Sequence, residues 1–219
     1  MFKQVRVVGH GRVGTAVSAR LAERGLASDG ADADLVLLCV PDSAICAAAA
    51  DVAPGPWVAH VSGATPLSAL APHVRRFGLH PLQTFTLARG PEQLDGAWAA
   101  VTGDTDAARE RARWLAGCLG LRPFDLRDES RVLYHAGAAM ASNFLVTLYR
   151  ASSRLLEAAG APPEALLPLM RRTIDNGFEL TGPISRGDWA TVDAHLAAIH
   201  DAAPDLENLY RALAQVTRP

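Results

Sequence analysis

A chain of 219 residues, 49% hydrophobic and 20% charged, is long enough for one large domain or two small ones and too apolar to be disordered. Its formal net charge of −2 leaves no basic footprint for nucleic acid, and the three cysteines, Cys39, Cys46 and Cys118, fit neither a metal site nor a disulfide framework. They read as reduced thiols; with no apolar leader and no run of membrane-spanning length, the expectation is a cytoplasmic protein.

In chain order the first strand falls at 5–8 and the first helix at 15–24. Between them lies Gly9-His10-Gly11-Arg12-Val13-Gly14, a G-x-G-x-x-G. Its spacing has mechanical causes. Gly9 permits a tight turn, Gly11 lets a diphosphate approach the backbone, and Gly14 lets the helix pack on the strand. The helix start then offers N–H groups and partial positive charge to the phosphates. The pattern predicts a dinucleotide, NADP or NAD, held by Gly9, His10, Gly11, Arg12, Val13 and Gly14; the alternative is a glycine-rich turn with no ligand.

The next stretch, LAERGLASDGADAD, lacks the strand that normally carries a ribose-binding acid about 20 residues on. Asp29, Asp32 and Asp34 qualify by distance alone, and Asp34 precedes the next strand at the amino end of the sheet. The reading is a deleted strand–helix unit, with the diphosphate half of the site intact and the adenosine half lost or moved.

Further strands are predicted at 35–40, 57–61, 77–79, 98–102 and 122–126, with helices at 43–52 and 106–119. Short Val/Leu-rich runs alternating with helices specify an α/β fold, a Rossmann-like and mostly parallel sheet with right-handed crossovers. Ligands on such sheets bind beyond the carboxyl ends of the strands. Those ends carry Val40-Pro41-Asp42, Ser62-Gly63 and His80-Pro81. Val40, Pro41, Ser62 and Gly63 are candidates to flank the cofactor, and His80 is a candidate acid or base near neutral pH. The plainer readings are a loop-capping Ser62 and a structural His80; His60, inside a strand, reads as core.

From residue 128 onward no strand is expected. Helical patterns run up to Gly160, then over 162–180, 188–200 and 204–216, with Pro168 able to kink or restart the second. The chain is therefore divided into a sheet domain, 1–126, and an all-α domain, 127–219. His135 and Asn143 lie two turns apart on one long helix, with small residues around the histidine. They are candidate catalytic groups, or else mark close helix packing. Ser142 and Arg186 are candidate substrate contacts, Asp188 a helix cap. Phe144, Leu145, Leu148, Leu155 and Leu156 along the long helix predict a homodimer.

The stretches GHGRVG, DLVLLCVPD, HVSGA, GLHPLQTF, HAGAAMASNFLVTL and LTGPISRGD, in this order, span nearly the whole chain. The chain resembles the bacterial family that joins a Rossmann-like domain to a helical domain of unknown function, within the 6-phosphogluconate dehydrogenase-like superfamily. The resemblance implies a nicotinamide cofactor, a cleft between the domains and dimerisation through the helical half. Ketopantoate reductase and the 3-hydroxyacid dehydrogenases of that superfamily resemble each other in using a lysine of the helical domain beside an asparagine, and pyrroline-5-carboxylate reductase is another relative. Asn143 matches the asparagine, but the one lysine here, Lys3, precedes the first strand. Arginine stays protonated, so His80 or His135 is the better substitute. The resulting expectation is an NAD(P)-dependent reductase of a small carbonyl or imine substrate, with no metal, nucleic-acid or membrane partner. Its rival is a non-redox binding or regulatory protein that keeps the scaffold. A hydrolase has neither a nucleophile elbow nor a triad spacing here.

Overall fold

A computed structural model of the chain describes residues 1–30 and 32–217. Strands β1 (Val5–Val8), β2 (Leu35–Leu38), β3 (Trp57–His60), β4 (Arg76–Leu82), β5 (Trp98–Thr102) and β6 (Arg122–Asp125) form one sheet in that spatial order. Every neighbouring pair is parallel except β4–β5, which is antiparallel. The fold is thus α/β with a mostly parallel sheet, and the predicted strands stand within one or two residues of their places, except β4. That strand runs on through Pro81, because its pairing with β3 ends at Gly78 and a missing N–H costs nothing where no neighbour accepts it.

Alternate residues feed two cores, as a sheet covered on both faces requires. Val5, Leu35, Leu37, Phe77, Leu79 and Val101 pack under helices α1 (Arg12–Glu23) and α3 (Asp106–Cys118). Val36, Leu38 and Val58 pack under α2 (Ile45–Ala50) and the 3₁₀ turn Leu67–Leu70. At the amino end of the sheet Phe2 stacks on Phe77 and meets Trp114 edge-on, with ring centroids 6.1 and 5.6 Å apart. Buried Arg20 ties α1 to the end of α3 and the turn before β5, donating to Asp95 at 2.7 Å and to the Leu119 carbonyl at 3.1 Å.

The missing second strand survives as a single parallel bridge between Val5 and Ala27. The Val5 N–H donates to the Leu26 carbonyl at 2.8 Å, and the Ser28 N–H donates to the Val5 carbonyl at 3.0 Å. Ser28 Oγ then accepts the Gly30 N–H at 3.2 Å, closing a turn. Asp34 lies at the amino end of the sheet, where its carboxylate accepts the N–H groups of Lys3 and Gln4.

The chain forms two compact units, 1–139 and 140–219. The first reaches past the last strand to include α4 (Arg131–Ala139), because fully buried Arg131 donates to Thr102 Oγ1 of β5 and to the Ser62 carbonyl. The single long helix expected from the sequence is interrupted by a π-helical turn, Met140–Phe144. The second unit continues with α5 (Leu145–Ala158), α6 (Leu166–Asp175), α7 (Trp189–Ala202) and α8 (Glu207–Val216). Pro168 falls in the first turn of α6, where its lack of an N–H leaves the helix unbroken. Asp188 caps α7 through the Thr191 N–H at 3.1 Å, and His195 of α7 meets the Tyr210 hydroxyl of α8 at 2.7 Å. No helix among the described residues is long and apolar enough to cross a membrane.

Candidate active site

The first turn of α1 is open. Gly11 is its N-cap, no side chain caps it, and no acidic residue stands in the first turn. The N–H groups there have no intrahelical acceptor and carry the positive end of the helix dipole. The three glycines of this turn do different work. Gly9 has φ +103°, and a Cβ there would lie 2.5 Å from the Cys39 carbonyl oxygen. A Cβ on Gly14 would collide with the Gly9 carbonyl oxygen. Both are required by the chain's own packing. Around Gly11, by contrast, a Cβ would meet nothing within 4 Å. The space over Gly11 is open.

That space belongs to a cavity of about 390 Å³, within the range of small-ligand sites. One wall is Gly11, Arg12 and Val13; another is Val40, Pro41 and Asp42 after β2. The remainder is Ser62 and Gly63 after β3, His80 of β4, and His135 of α4. The structure thus gathers Gly11, Arg12, Val13, Val40, Pro41, Ser62, Gly63, His80 and His135 at one cavity. Gly9 and Gly14 support the turn from behind, and His10 is exposed beside it, its carbonyl accepting the Thr15 hydroxyl at 3.1 Å.

The loop after β3 is fixed by its own hydrogen bonds. Ser62 Oγ donates to Asp42 Oδ2 at 2.8 Å and accepts the Thr65 N–H at 2.9 Å, so the hydroxyl is engaged in shaping the loop. The Ser62 carbonyl accepts from Arg131. Gly63 is where the two histidines come close. A Cβ there would lie 2.5 Å from His135 Cδ2 and 3.0 Å from His80 Nε2. Their rings meet edge-on with centroids 5.8 Å apart.

His80 Nδ1 pairs with the Tyr134 hydroxyl at 2.8 Å. Burial, then the neighbouring His135 and Arg131, hold the His80 pKa down to about 4, against a smaller opposing pull from Asp42. The ring is therefore neutral near pH 7. Burial pushes the Tyr134 phenol up to about 12. His60 is fully buried below, with neither ring nitrogen hydrogen-bonded, and burial with Arg131 nearby depresses it to about 3. Burial also lowers the Arg131 guanidinium from its ordinary value. Gly78 leaves room for that guanidinium, since a Cβ there would lie 2.8 Å from Arg131 Nη1. Cys39, behind the glycine turn, is a buried thiol pushed up to about 12 by burial.

The remaining sequence candidates lie in the second unit. Asn143 and Ser142 sit in the π-helical turn, where Ser142 Oγ donates to Asn143 Oδ1 at 3.2 Å; such turns recur at functional sites. Arg186 is exposed in the turn before α7. Three groups of the first unit were not singled out from the sequence: Tyr134, Arg131 and Asp42. Arg131 and Tyr134 are spaced i, i+3 on α4, so a basic residue and a tyrosine on one helical stripe facing the sheet were the available signal. Among the described residues no group of three or more His, Cys, Asp or Glu could hold a metal ion.

No curated protein matches the chain. Solved structures do resemble it. BF3122 of Bacteroides fragilis, which carries the name of an NADP oxidoreductase, is 21% identical with a TM-score of 0.80, the match covering 98% of this chain and 97% of that one. The protein TM1727 of Thermotoga maritima is 25% identical with a TM-score of 0.74, covering 98% and 100%. A reductive aminase from Aspergillus terreus, solved with NADPH and ethyl levulinate, is 14% identical with a TM-score of 0.67, covering 100% and 95%. These likenesses establish the Rossmann-like and helical architecture. Residues 97–217, more than half of the chain, match the model of a family described as a domain of unknown function, and the chain belongs to that family, DUF2520.

Proposed function

We propose that this chain is an NAD(P)-dependent oxidoreductase that reduces a small carbonyl or imine compound. One observation carries the reading: the uncapped start of α1, with open space over Gly11, faces the same cavity as His80 and His135. The residues present fit a dinucleotide diphosphate, because the turn holds exposed N–H donors, Arg12 beside them, and no side chain where the phosphates would lie. When bound, a nicotinamide supplies hydride. The chain's own part is to seat the diphosphate on Gly9 to Gly14, to flank the ring with Val40, Pro41, Ser62 and Gly63, and to present His80 and His135 to the substrate heteroatom.

The residual strand at Leu26–Ser28 favours a second reading. In a parallel register Ala27 stands beside Val5, three residues short of Val8, or about 10 Å from the carboxyl edge where a ribose would lie. A protein that binds only a small anion at the glycine turn would have this shape too. Titration with NADPH and NADH, followed by thermal unfolding, separates the two. A ligand that binds only the native state must raise the melting temperature. No rise with either dinucleotide at millimolar concentration, together with a rise with inorganic diphosphate, would establish the non-redox reading instead.

A homodimer built through the second unit belongs to the same proposal. No residue of α5 is buried, and Phe144, Leu145, Val146 and Leu148 are exposed. Apolar side chains exposed in such number on one helix mark a surface that a partner covers.

A further inference from the structure

We propose that Tyr134 is a positioning residue of this site: its hydroxyl donates to His80 Nδ1 and so keeps the imidazole's one proton on Nε2, the edge that faces the cavity. The inference rests on the oxidoreductase reading for its purpose, since an Nε2–H there is a hydrogen-bond donor for a carbonyl oxygen or imine nitrogen on which charge develops.

The geometry is fixed from both sides. His80 lies within β4, paired with Ala100 of β5, so its backbone cannot drift. Tyr134 lies on α4, and its ring also meets Phe124 of β6 with centroids 5.9 Å apart. One turn before it, Arg131 donates to Thr102 Oγ1 at 2.9 Å and to the Ser62 carbonyl, which sets the rotation of α4 about its axis. Residues i and i+3 share a helix face, so this anchor aims Tyr134 at β4. The His80 and Tyr134 rings meet at 83° with centroids 5.5 Å apart, and the phenol oxygen stands 2.8 Å from Nδ1. Gly63 lets the opposite edge of the imidazole lie against the cavity wall.

The direction of the hydrogen bond follows from what each group can do. The groups that face His80 are Tyr134, His135 and Arg131 of α4, His60 of β3, and Asp42 after β2. His135, Arg131 and burial all oppose a second proton on His80, so the ring is neutral and has one donor and one acceptor. Burial keeps the phenol protonated. Among the described residues the Tyr134 hydroxyl has no hydrogen-bond partner besides His80. If Nδ1 carried the proton, the phenol O–H would be left without a protein acceptor and Nε2 would meet the substrate heteroatom lone pair to lone pair. With the phenol donating, both groups are satisfied and Nε2–H is free for substrate.

The test is long-range ¹H–¹⁵N correlation of the histidine rings in the full-length ¹⁵N-labelled protein near neutral pH, with His80 assigned by the signals lost in H80Q. The expected result is an Nε2–H ring whose Nδ1 resonance is displaced by an accepted hydrogen bond, and loss of that displacement in Y134F. A wild-type ring protonated at Nδ1, or an Nδ1 resonance identical in Y134F, would overturn the proposal; the first of these needs no variant to fold. The titration of the wild type with NADPH and with NADH reads separately. Absence of a melting shift with both would remove the oxidoreductase reading and leave the tautomer result standing.

Discussion

Gly11→Ala separates the two jobs of the glycine turn. In the unliganded protein the new Cβ would meet nothing within 4 Å, and φ of −70° suits any residue. Alanine is a poorer N-cap than glycine, by at most about 1 kcal/mol, and the stiffer unfolded chain offsets part of that. For a chain of this size 1 kcal/mol moves the melting temperature by about 2–4 °C, so unliganded G11A should melt within about 4 °C of the wild type. The same Cβ occupies the space over which a diphosphate must approach. At a ligand concentration a hundred times its Kd, the wild type should gain about 2.7 kcal/mol, or roughly 5–11 °C. G11A should lose nearly all of that gain. Gly14→Ala supplies the contrast. Its Cβ would run into the Gly9 carbonyl, a backbone atom that cannot swing away, so this variant should melt far below the wild type without any ligand. Differential scanning fluorimetry with and without NADPH reads all three proteins. A G11A protein that keeps the wild-type NADPH shift would refute the assignment of that space to phosphate.

Other variants probe the rest of the cavity and the second unit. Gly63→Ala places a Cβ 2.5 Å from His135 Cδ2, so it should displace the histidines and cost about 1–3 kcal/mol; an unchanged His80 ring spectrum would contradict this. Stability should fall with acid. His60 and His80 titrate at about 3 and about 4 when folded, below the 6.5 of the free ring, so between those values the unfolded state binds more protons. Each ring then costs about 2 kcal/mol between about pH 7 and about pH 5, and nothing above about pH 7. Urea midpoints across that range should drop in the wild type, and His60→Leu should remove about half of the drop; an equal slope in both would place the proton uptake elsewhere. Leu148→Glu should turn a dimer of the 23.2 kDa chain into a monomer by light scattering, and a monomeric wild type would remove the dimer proposal altogether.

How far the sequence carried the site depends on what kind of order each part has. The glycine turn was legible because its constraints are local: φ > 0 at Gly9 and the contact of Gly14 with the preceding turn act across five residues. The ends of β2 and β3 were legible because apolar runs stop where those strands stop, which put Val40 and Ser62 along one edge; β4 instead runs past His80 to Leu82. The residual bridge at Ala27 was not, since a single paired residue leaves no periodic pattern. The π-helical turn was hidden for a related reason: it needs no proline or glycine, and a run such as MASNF fits an α-helix equally well.

Tyr134 and Arg131 were hidden by something else. Read along the helix, each is an ordinary polar residue in an amphipathic pattern, and their consequence arises only across the sheet. Arg131 can be fully buried because Gly78, more than 50 residues earlier, leaves space for its guanidinium, and because β5 and the loop after β3 provide acceptors. No charged partner neutralises it within the 4 Å reach of a salt bridge among the described residues. A buried cation without a counter-ion is costly to keep, and its neighbours bear the effect. It is one reason that His60 and His80 remain neutral, and it fixes the turn of α4 from which Tyr134 reaches His80. Replacing Arg131 with methionine should therefore raise the His80 pKa toward that of a free ring, even though the two side chains share no hydrogen bond. A His80 titration unmoved in R131M would mean that burial and His135 set the proton on this ring without Arg131.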